Sequence, residues 1–469
     1  MTSHQGEIGT FALMSQTRVS ARILFLVVAL APLPFGSMDA WVEALWCIVL
    51  GVAAIAASPD RLRRHHVPIF FVLGIVVVAY AVVLHEQLAI SPWFGASRPS
   101  PLWTRTSELL GVPLASTVSI ARHQPIYALG APFIVILTII CGIIVGSDRS
   151  LATQLLKVVA WSGATYAIFG LASFLIDPTR VLWVEKEAHL SYLTATFTNR
   201  NTAAVYFGSC SIVWLLFTSE SIRTFAKHNE LAWGQVFSRI LSEAPRDVLL
   251  PFFMLSLCVT AMFMTGSRAG IVLSLAGLVL ALLLYFYRDL PGRSGALIAF
   301  AISLSVVIAL FQILGASVSG RFSAEGLSDA MRLDTYRSTV ASIADHPWLG
   351  TGIGTFPSMF PAYRSLHGSM WGTWDRAHNT LLELASEGGL PLTMTIVAAW
   401  GLALAVLIRG IKVRRRDRIV PIAALAISAV ALAHSLVDFS IQVPGFAITV
   451  FGLLGVGLSQ SFSSGNRVQ

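Results

Sequence analysis

The chain has 469 residues, of which 55% are hydrophobic and only 12% are charged, and its mean hydropathy is +0.73. This composition excludes an ordinary soluble domain and indicates a polytopic membrane protein. The formal net charge of +8 would suggest a nucleic-acid partner in a soluble protein, but in a membrane protein the positions of Lys and Arg report topology. We therefore expect no nucleic-acid partner, and we interpret the four cysteines, which lie in apolar runs, as packing residues.

Apolar stretches recur along almost the whole chain. A membrane-spanning helix needs about 20 apolar residues, and about twelve stretches approach this length, so the predicted fold class is all-α. Residues 1–20 are predicted to form a cytoplasmic segment before an uncleaved first span, 21–460 a single transmembrane domain, and 461–469 a cytoplasmic tail. The predicted spans are residues 21–37, 39–57, 66–85, 125–146, 151–176, 200–218, 248–266, 269–287, 294–315, 389–408, 419–437 and 445–460.

Basic residues are concentrated in alternate loops, from the arginines near residue 61 to the run KVRRRDR that begins at Lys412. This distribution satisfies the positive-inside rule if both termini face the cytoplasm. Three substantial loops then face outward, and the largest covers residues 316–388, between the ninth and tenth spans.

The first part of this loop contains a helical pattern. In RLDTYRSTVASIADHP, apolar side chains follow one another at spacings of three and four, which predicts one face of a helix on the membrane surface. His346 and Pro347 end the pattern, because proline disfavours helical geometry in the residue before it. The run WLGTGIGTF follows, and Gly352 lies at its centre. Such a run either approaches a ligand with its backbone or forms a tight turn, and the two interpretations are about equally supported.

The stretch AHNTLLELASEGGLP places a histidine at the beginning of a helix. Asn379 is the predicted N-cap, and Gly388 with Gly389 ends this helix just before the chain re-enters the membrane. The positive end of a helix dipole favours a neutral imidazole and attracts anions, which suits His378 as a general base beside a phosphate-bearing substrate. Glu383 either orients this histidine or belongs to the solvated face of the helix.

Two arginines stand at the predicted outer boundary of other spans. Arg200 lies in FTNRNTAA, between the amides of Asn199 and Asn201, and Arg268 lies in the short turn MTGSRAG. Boundary arginines often only reach the lipid headgroups. Here, however, both share the outer surface with His378, so two guanidiniums could clamp a diphosphate while the histidine takes a proton.

Four segments resemble the O-antigen ligase and polymerase family of bacterial envelope glycosyltransferases: TATFTNRNTAA, TGSRAG, the run from Arg332 through HPWLGTGIGTF, and HNTLLELASEGGLP. With the late segment HSLVDFSIQVPGFA they span residues 194–447 in the family's order. The FTNRN and DFSIQVP segments are most similar to exopolysaccharide polymerases. Asp438, in the late segment, either pairs with an arginine at the outer surface or caps a helix.

The resemblance implies a GT-C-like membrane glycosyltransferase of the bacterial inner membrane, with its active site facing the periplasm. It implies that Arg200 and Arg268 bind the diphosphate of a polyprenyl-linked glycan, that His378 is the base, and that Arg332 and His346 shape the loop around the acceptor. The expected catalytic residues are thus His378, Arg268 and Arg200, and the expected substrate-binding residues are Arg332, His346, Asn199, Asn201, Glu383 and Gly352.

The expected chemistry needs neither a metal nor a cofactor. A glycosyl diphosphate already carries a good leaving group, and in-line attack by an acceptor hydroxyl would invert the anomeric centre. The sequence has no D-x-D pair and no compact carboxylate cluster in its outer loops, so we predict that arginines replace a metal ion. The expected partners are the lipid-linked glycan donor, a glycan or lipid A core acceptor, the bilayer, and a chain-length regulator as a candidate.

Three functions remain open at this point. The first is a polymerase that joins lipid-linked repeat units, and the second is a ligase that transfers the finished glycan to the lipid A core or to a protein. The third is a glycolipid transporter or flippase, which would place ionisable groups near the midplane of broken helices. The strongest polar residues cluster at one face, which disfavours the transporter. We prefer the polymerase to the ligase, because the FTNRN and DFSIQVP segments resemble exopolysaccharide polymerases more than dedicated ligases.

Overall fold

The computed structural model describes residues 17–57, 62–94, 98–289, 330–365, 374–414 and 418–462. Within these ranges the chain is almost entirely helical, and one short antiparallel hairpin pairs β1, Arg180–Val181, with β2, Val184–Glu185. The α-helices are α1 (17–30), α2 (Ala40–Ala56), α3 (Val67–Leu88), α4 (Pro101–Leu110), α5 (Gln124–Tyr127), α6 (Gly130–Gly146), α7 (Arg149–Ile176), α8 (Arg200–His228), α9 (Trp233–Glu243), α10 (Arg246–Met264), α11 (Arg268–Phe286), α12 (Ala330–Asp345), α13 (Phe356–Tyr363), α14 (Thr380–Val413), α15 (Ile419–Ser435) and α16 (Pro444–Phe462). Short 3₁₀ helices occupy Phe35–Ser37, Arg64–His66 and Ser440–Gln442.

Eight helical segments in the described ranges are long and apolar enough to cross a membrane. The all-α, polytopic prediction is therefore confirmed. The segments are α3 with its preceding 3₁₀ turn, α5 with α6, and α7, α8, α10, α11, α14 and α16.

The remaining predicted spans have different outcomes. Residues 39–57 and 419–437 correspond to the shorter apolar helices α2 and α15, and residues 21–37 overlap α1, which ends at residue 30. The predicted span 294–315 lies outside the described residues, as do most of the predicted terminal segments 1–20 and 461–469.

The centre of the bundle is formed by α8 and α16. In each, 89% of the most apolar window is buried, whereas the figure for α3 is 6%. Helix α8 packs against α10 and α11, and α16 packs against α6 and α15. Glycines allow the backbones of α6 and α16 to approach closely, since a Cβ added at Gly146 would lie 2.8 Å from the Cα of Val456. Three of the four cysteines are buried and all are free, which confirms their interpretation as packing residues.

Helix α14 contains the predicted helix that follows His378 and continues into the membrane. Its axis breaks at Gly389, where φ is +82°. A Cβ at this position would lie 2.2 Å from the carbonyl oxygen of Trp348, so only glycine fits the turn. The predicted end of the helix at the glycine pair is therefore a kink, after which the spanning segment begins directly.

Helix α12 confirms the predicted helix in the large loop, but its packed side differs from the predicted apolar face. Leu333 and Val340 are exposed, whereas Thr335 and Thr339 are buried. The small hydroxyl residues allow α12 to lie close to α14, with which it is in contact. The exposed leucine and valine remain available to a membrane surface.

Candidate functional site

Three helices begin at the same end of the bundle, and each start is capped by a side chain. The side-chain Oδ1 of Asn199 accepts from the backbone N–H of Asn201 at the start of α8. Ser267 accepts from Gly270 at the start of α11, and Asn379 accepts from the second and third residues of α14. Each helix start presents the positive end of its dipole, so this end of the bundle favours anions.

Asn201 joins these helix starts to the segment after α15. Its side-chain Oδ1 accepts from Ser267 Oγ at 2.8 Å, and this hydrogen bond joins α8 to α11. Its Nδ2 donates to Asp438 Oδ2. Since Asn199 and Ser267 precede Arg200 and Arg268, both predicted arginines stand on helix starts that are linked through one amide.

The buried carboxylate of Asp438 is the centre of this arrangement. Its side chain is 1% exposed, and Oδ1 accepts from the backbone N–H of Phe439 at 2.7 Å. Arg332 Nη2 lies 3.7 Å from Oδ2, and Arg332 Nη1 donates to the carbonyl of Val437 at 2.9 Å. We call Asn201, Arg332, His378 and Asp438 the Asp438 cluster. Of the two interpretations open from the sequence, pairing with an arginine is the one observed.

The neighbours of Asp438 keep it ionised. Burial alone raises the pKa of a carboxyl group, but the contact with His378 and the charges of His434 and Arg332 outweigh burial and lower the pKa of Asp438 to about 2. At neutral pH the cluster therefore contains a carboxylate, which attracts the N–H of a neutral imidazole or an imidazolium.

His378 faces this carboxylate with one ring nitrogen. Nδ1 is buried and lies 3.7 Å from Asp438 Oδ1, a distance too long for a hydrogen bond but within the range of an ion pair. The side chain as a whole is 25% exposed, so Nε2 is the nitrogen accessible to a substrate. The rings of Trp374 and Phe439 lie edge-on to the imidazole, with centroid separations of 5.6 and 5.3 Å.

The backbone of His378 is held in an uncommon conformation. Its φ is +52°, in the left-handed region that non-glycine residues seldom adopt. The hydroxyl of Tyr336 donates to the His378 carbonyl at 2.9 Å and holds this turn from α12. Strain of this kind is found where the surrounding structure fixes a functional side chain.

Glu383 holds the residues immediately before His378. Its Oε2 accepts from the backbone N–H of Ala377 at 2.7 Å, and its Oε1 accepts from Arg376 Nη1 at 3.1 Å. Arg376 also donates to Gln442 at 2.9 Å. Burial alone would lower the pKa of Arg376, but the Glu383 carboxylate outweighs it and raises that pKa. Glu383 is 3% exposed, so it does not belong to a solvated face but orients the backbone beside the histidine.

Tyr192 lies between Arg200 and the turn that precedes Arg268. The Arg200 guanidinium lies over the Tyr192 ring at 4.3 Å from its centroid. The same ring packs against Gly266, where an added Cβ would lie 2.5 Å from it, two residues before Arg268. Lys186 Nζ donates to the Tyr192 carbonyl at 2.9 Å and holds this platform from the loop after the hairpin.

The predicted residues His346 and Gly352 lie away from the Asp438 cluster. His346 follows the end of α12, about 21 Å along the helix axis from Arg332, which belongs to the cluster. Gly352 forms a tight turn with φ +117°, and its N–H donates to the carbonyl of Glu387 at 3.1 Å. Glu387 in turn accepts from the N–H of Phe356 at 2.8 Å. The glycine run therefore packs onto α14, and the substrate-binding roles of His346 and Gly352 stay predictions.

Sequence reasoning missed Arg376 and Tyr192. Arg376 had a visible signal, a charged residue two positions before the histidine, whereas a single tyrosine in an outer loop gave none. In the part of the chain that the structure describes, no three His, Cys, Asp or Glu side chains lie together as a metal site would require. The metal-independent chemistry stays a prediction.

Residues 253–397 match the family model described as O-antigen ligase. The matched segment runs from α10 into α14 and includes Arg268, Arg332 and His378. Arg200, Asn201 and Asp438 lie outside it. No curated protein matches the chain.

Proposed function

We propose that this chain, which the match at residues 253–397 assigns to the O-antigen ligase and polymerase family, is an inverting, metal-independent glycosyltransferase. Its donor is a polyprenyl-diphosphate-linked oligosaccharide, which it polymerises into O-antigen or exopolysaccharide at the periplasmic face of the bacterial inner membrane. The observation that carries the proposal is the contact of His378 with buried Asp438, at the end of the bundle where the Arg200 and Arg268 helices begin.

The donor diphosphate would bind at the starts of α8 and α11. Two guanidiniums and two helix dipoles provide positive charge there, and the charge on the phosphates grows as the glycosidic bond breaks. The Tyr192 ring makes a cation–π contact with the Arg200 guanidinium, and the Asn201 amide joins the two helix starts by a hydrogen bond. Charge stabilisation that strengthens in the transition state lowers the barrier instead of only tightening binding.

His378 Nε2 would remove the proton of the acceptor hydroxyl. The hydroxyl oxygen attacks the anomeric carbon, the bond from that carbon to the diphosphate oxygen breaks, and polyprenyl diphosphate leaves with the electron pair. The proton moves to His378, where the Asp438 carboxylate at 3.7 Å stabilises the imidazolium. Attack opposite the leaving group inverts the anomeric centre.

Arg332 and Glu383 would act through other groups. Arg332 shares Asp438 with the histidine and holds the carbonyl of Val437, so it fixes the carboxylate. Glu383 fixes the peptide before His378. Asn199 caps α8, which makes it a positioning residue for Arg200.

A deletion strain tests the polymerase. Loss of the long chains, with a single repeat unit still attached to its acceptor, is the expected result. Long lipid-linked chains that accumulate beside a bare acceptor would instead identify a ligase, the second candidate, which the match to the O-antigen ligase family favours.

A purified assay separates both enzymes from a flippase. The protein in vesicles should release polyprenyl diphosphate in proportion to the glycosidic bonds formed. Movement of the lipid-linked glycan across the vesicle membrane without this release would contradict the proposed glycosyltransferase.

A further inference from the structure

Three arginines gather at the opposite end of the bundle from the Asp438 cluster. Arg223 lies on α8, Arg288 follows α11, and Arg418 precedes α15. The 23 residues of α8 between Arg200 and Arg223 correspond to about 35 Å. This second group is therefore separate from the candidate active site, although the same helices carry both.

The acidic side chains in this region are engaged elsewhere. Asp289 forms an ion pair with Arg223, and Glu220 accepts from the hydroxyl of Tyr285. The Arg223 guanidinium also lies 5.0 Å from the centroid of the Tyr285 ring. Among the three arginines, Arg223 is thus the one that forms an ion pair with Asp289.

Arg288 and Arg418 both lie over the ring of Tyr287, at 5.4 and 5.2 Å from its centroid. Arg288 donates to the Tyr287 hydroxyl at 2.8 Å and to the carbonyl of Lys412 at 2.5 Å. Arg418 donates to the carbonyl of Tyr285 at 3.3 Å. In the described ranges neither guanidinium forms an ion pair with a carboxylate, so two positive charges share one aromatic ring. The Asp289 carboxylate attracts Arg418 from a greater distance, but its ion pair is with Arg223.

The proximity of the two guanidiniums and the burial of part of Arg418 destabilise the folded chain. Arg418 Nη1 is buried and has no hydrogen-bond partner among the described residues, and a buried charged donor without a partner is destabilising. Burial lowers the pKa of Arg418, and the positive charge of Arg288 lowers it further. A bound anion would neutralise the repulsion and satisfy the free donor together.

We propose that Arg288, Arg418 and Tyr287, the Tyr287 site, bind a phosphate group. Guanidinium forks match the oxygens of phosphate. The Tyr287 hydroxyl, which accepts from Arg288, adds a polar group beside them. The site lies at the start of the apolar helix α15, and basic pockets at the cytoplasmic ends of spanning helices bind the headgroups of anionic lipids. The phosphate belongs to an anionic phospholipid or is free in solution.

The experiment compares these two sources with the full-length purified chain. Native mass spectrometry and thermal unfolding would be recorded after addition of phosphatidylglycerol, phosphatidylcholine or inorganic phosphate. Retention of phosphatidylglycerol over phosphatidylcholine, with a raised midpoint of unfolding, supports a lipid site. A raised midpoint with inorganic phosphate alone supports the site with a soluble ligand.

The variants R288Q and R418Q, combined, should weaken binding of the supporting ligand at least tenfold. The matched control combines R239Q and R246Q, because these arginines lie near the same end of the bundle, on α9 and α10, and are exposed. The combined R288K and R418K variant keeps the charge but loses the forks, and it should bind with intermediate affinity if the glutamine variant does not fold. Binding by the lysine or glutamine variant equal to that of the unchanged chain overturns the proposal, and so does the absence of binding and stabilisation with both phosphatidylglycerol and inorganic phosphate.

Discussion

At the scale of single residues, His378 is the group on which the proposed chemistry depends. The variant H378A removes the base but leaves the N-cap and kink of α14 intact, so the protein should still insert and fold. We expect turnover to fall by about 10²–10⁴-fold, the usual contribution of a general base. Release of polyprenyl diphosphate by the purified variant measures this. H123A, at an exposed histidine between α4 and α5, is the control and should keep full activity.

Asp438 should affect both activity and its dependence on pH. The variant D438N removes the charge that stabilises the imidazolium, so turnover should fall and the acid limb of the pH–rate profile should move to lower pH. A purely structural role would lower turnover without moving that limb. D177N, at a partly exposed carboxylate between α7 and the hairpin, should change neither quantity.

The same carboxylate makes a pH-dependent contribution to stability. Its pKa in the folded chain, about 2, is lower than the ordinary aspartate value of about 3.9. The stabilisation is therefore present above about pH 4 and is lost as the pH falls towards 2. Thermal unfolding should show D438N less stable than the unchanged chain at pH 7, with a smaller difference near pH 3. An equal difference at both values would contradict the ionised carboxylate.

Tyr192 should act through Arg200. The variant Y192L removes the ring beneath the guanidinium, and a cation–π contact of about 0.5–2 kcal/mol corresponds to a rise of about 2- to 30-fold in the KM for the lipid-linked donor. Y192F keeps the ring and should behave almost as the unchanged chain. An equal loss in both variants would show that the hydroxyl matters instead. Y127L, at an exposed tyrosine of α5, is the control.

The residues of the candidate site differ in how far the sequence could reveal them. The helix starts at His378, Arg200 and Arg268 could be predicted, because each residue stands beside a capping residue at the beginning of an apolar run, whereas the catalytic roles of the three stay predictions. The contacts of Asp438 could not, since Asn201 lies 237 residues before it in the chain. Only the folded bundle brings a buried carboxylate to a histidine and an arginine from separate helices. Local patterns therefore indicate helix starts, and the fold selects their partners.

At the scale of helices, hydropathy predicts which segments span the membrane but not where they pack. The α3 segment has a mean window hydropathy of 2.9 and is 6% buried, whereas α8 has 1.4 and is 89% buried. Because lipid tails are as apolar as leucine side chains, moving the most apolar helix from lipid to the centre of the bundle gains no hydrophobic free energy. Small and hydroxyl-bearing residues favour close contacts between helices. The same residues lower the hydropathy of α8, although this helix is long and apolar enough to span the membrane.

Glycines at the contact of α6 with α16 should be sensitive to size. The variant G146L would force its side chain into the backbone of Val456, so we expect a loss of stability of roughly 1–3 kcal/mol. G74L is the matched control, because a Cβ at Gly74 in α3 would contact nothing within 4 Å. Thermal unfolding in detergent measures both. Equal stability of the two variants would contradict the close packing of α6 on α16.

At the scale of the whole molecule, the two ends of the bundle differ in chemistry. The Asp438 cluster and the helix starts form one end, and the Tyr287 site with α9 forms the other. By the positive-inside rule, we expect the end with the basic connections from α8 to α10 and from α14 to α15 to face the cytoplasm. The candidate active site would then face outward, as the proposed function requires.

Cysteine labelling tests this orientation. In a chain whose four native cysteines are replaced by alanine, E187C places a thiol beside the hairpin, and S238C places one on α9, both at exposed positions. A membrane-impermeant maleimide should label E187C in spheroplasts and should label S238C only after the membrane is disrupted. Because both positions are exposed, unequal labelling reports the side of the membrane and not burial. Labelling of S238C in intact spheroplasts would place the candidate active site on the cytoplasmic side, where the proposed periplasmic polymerisation could not occur.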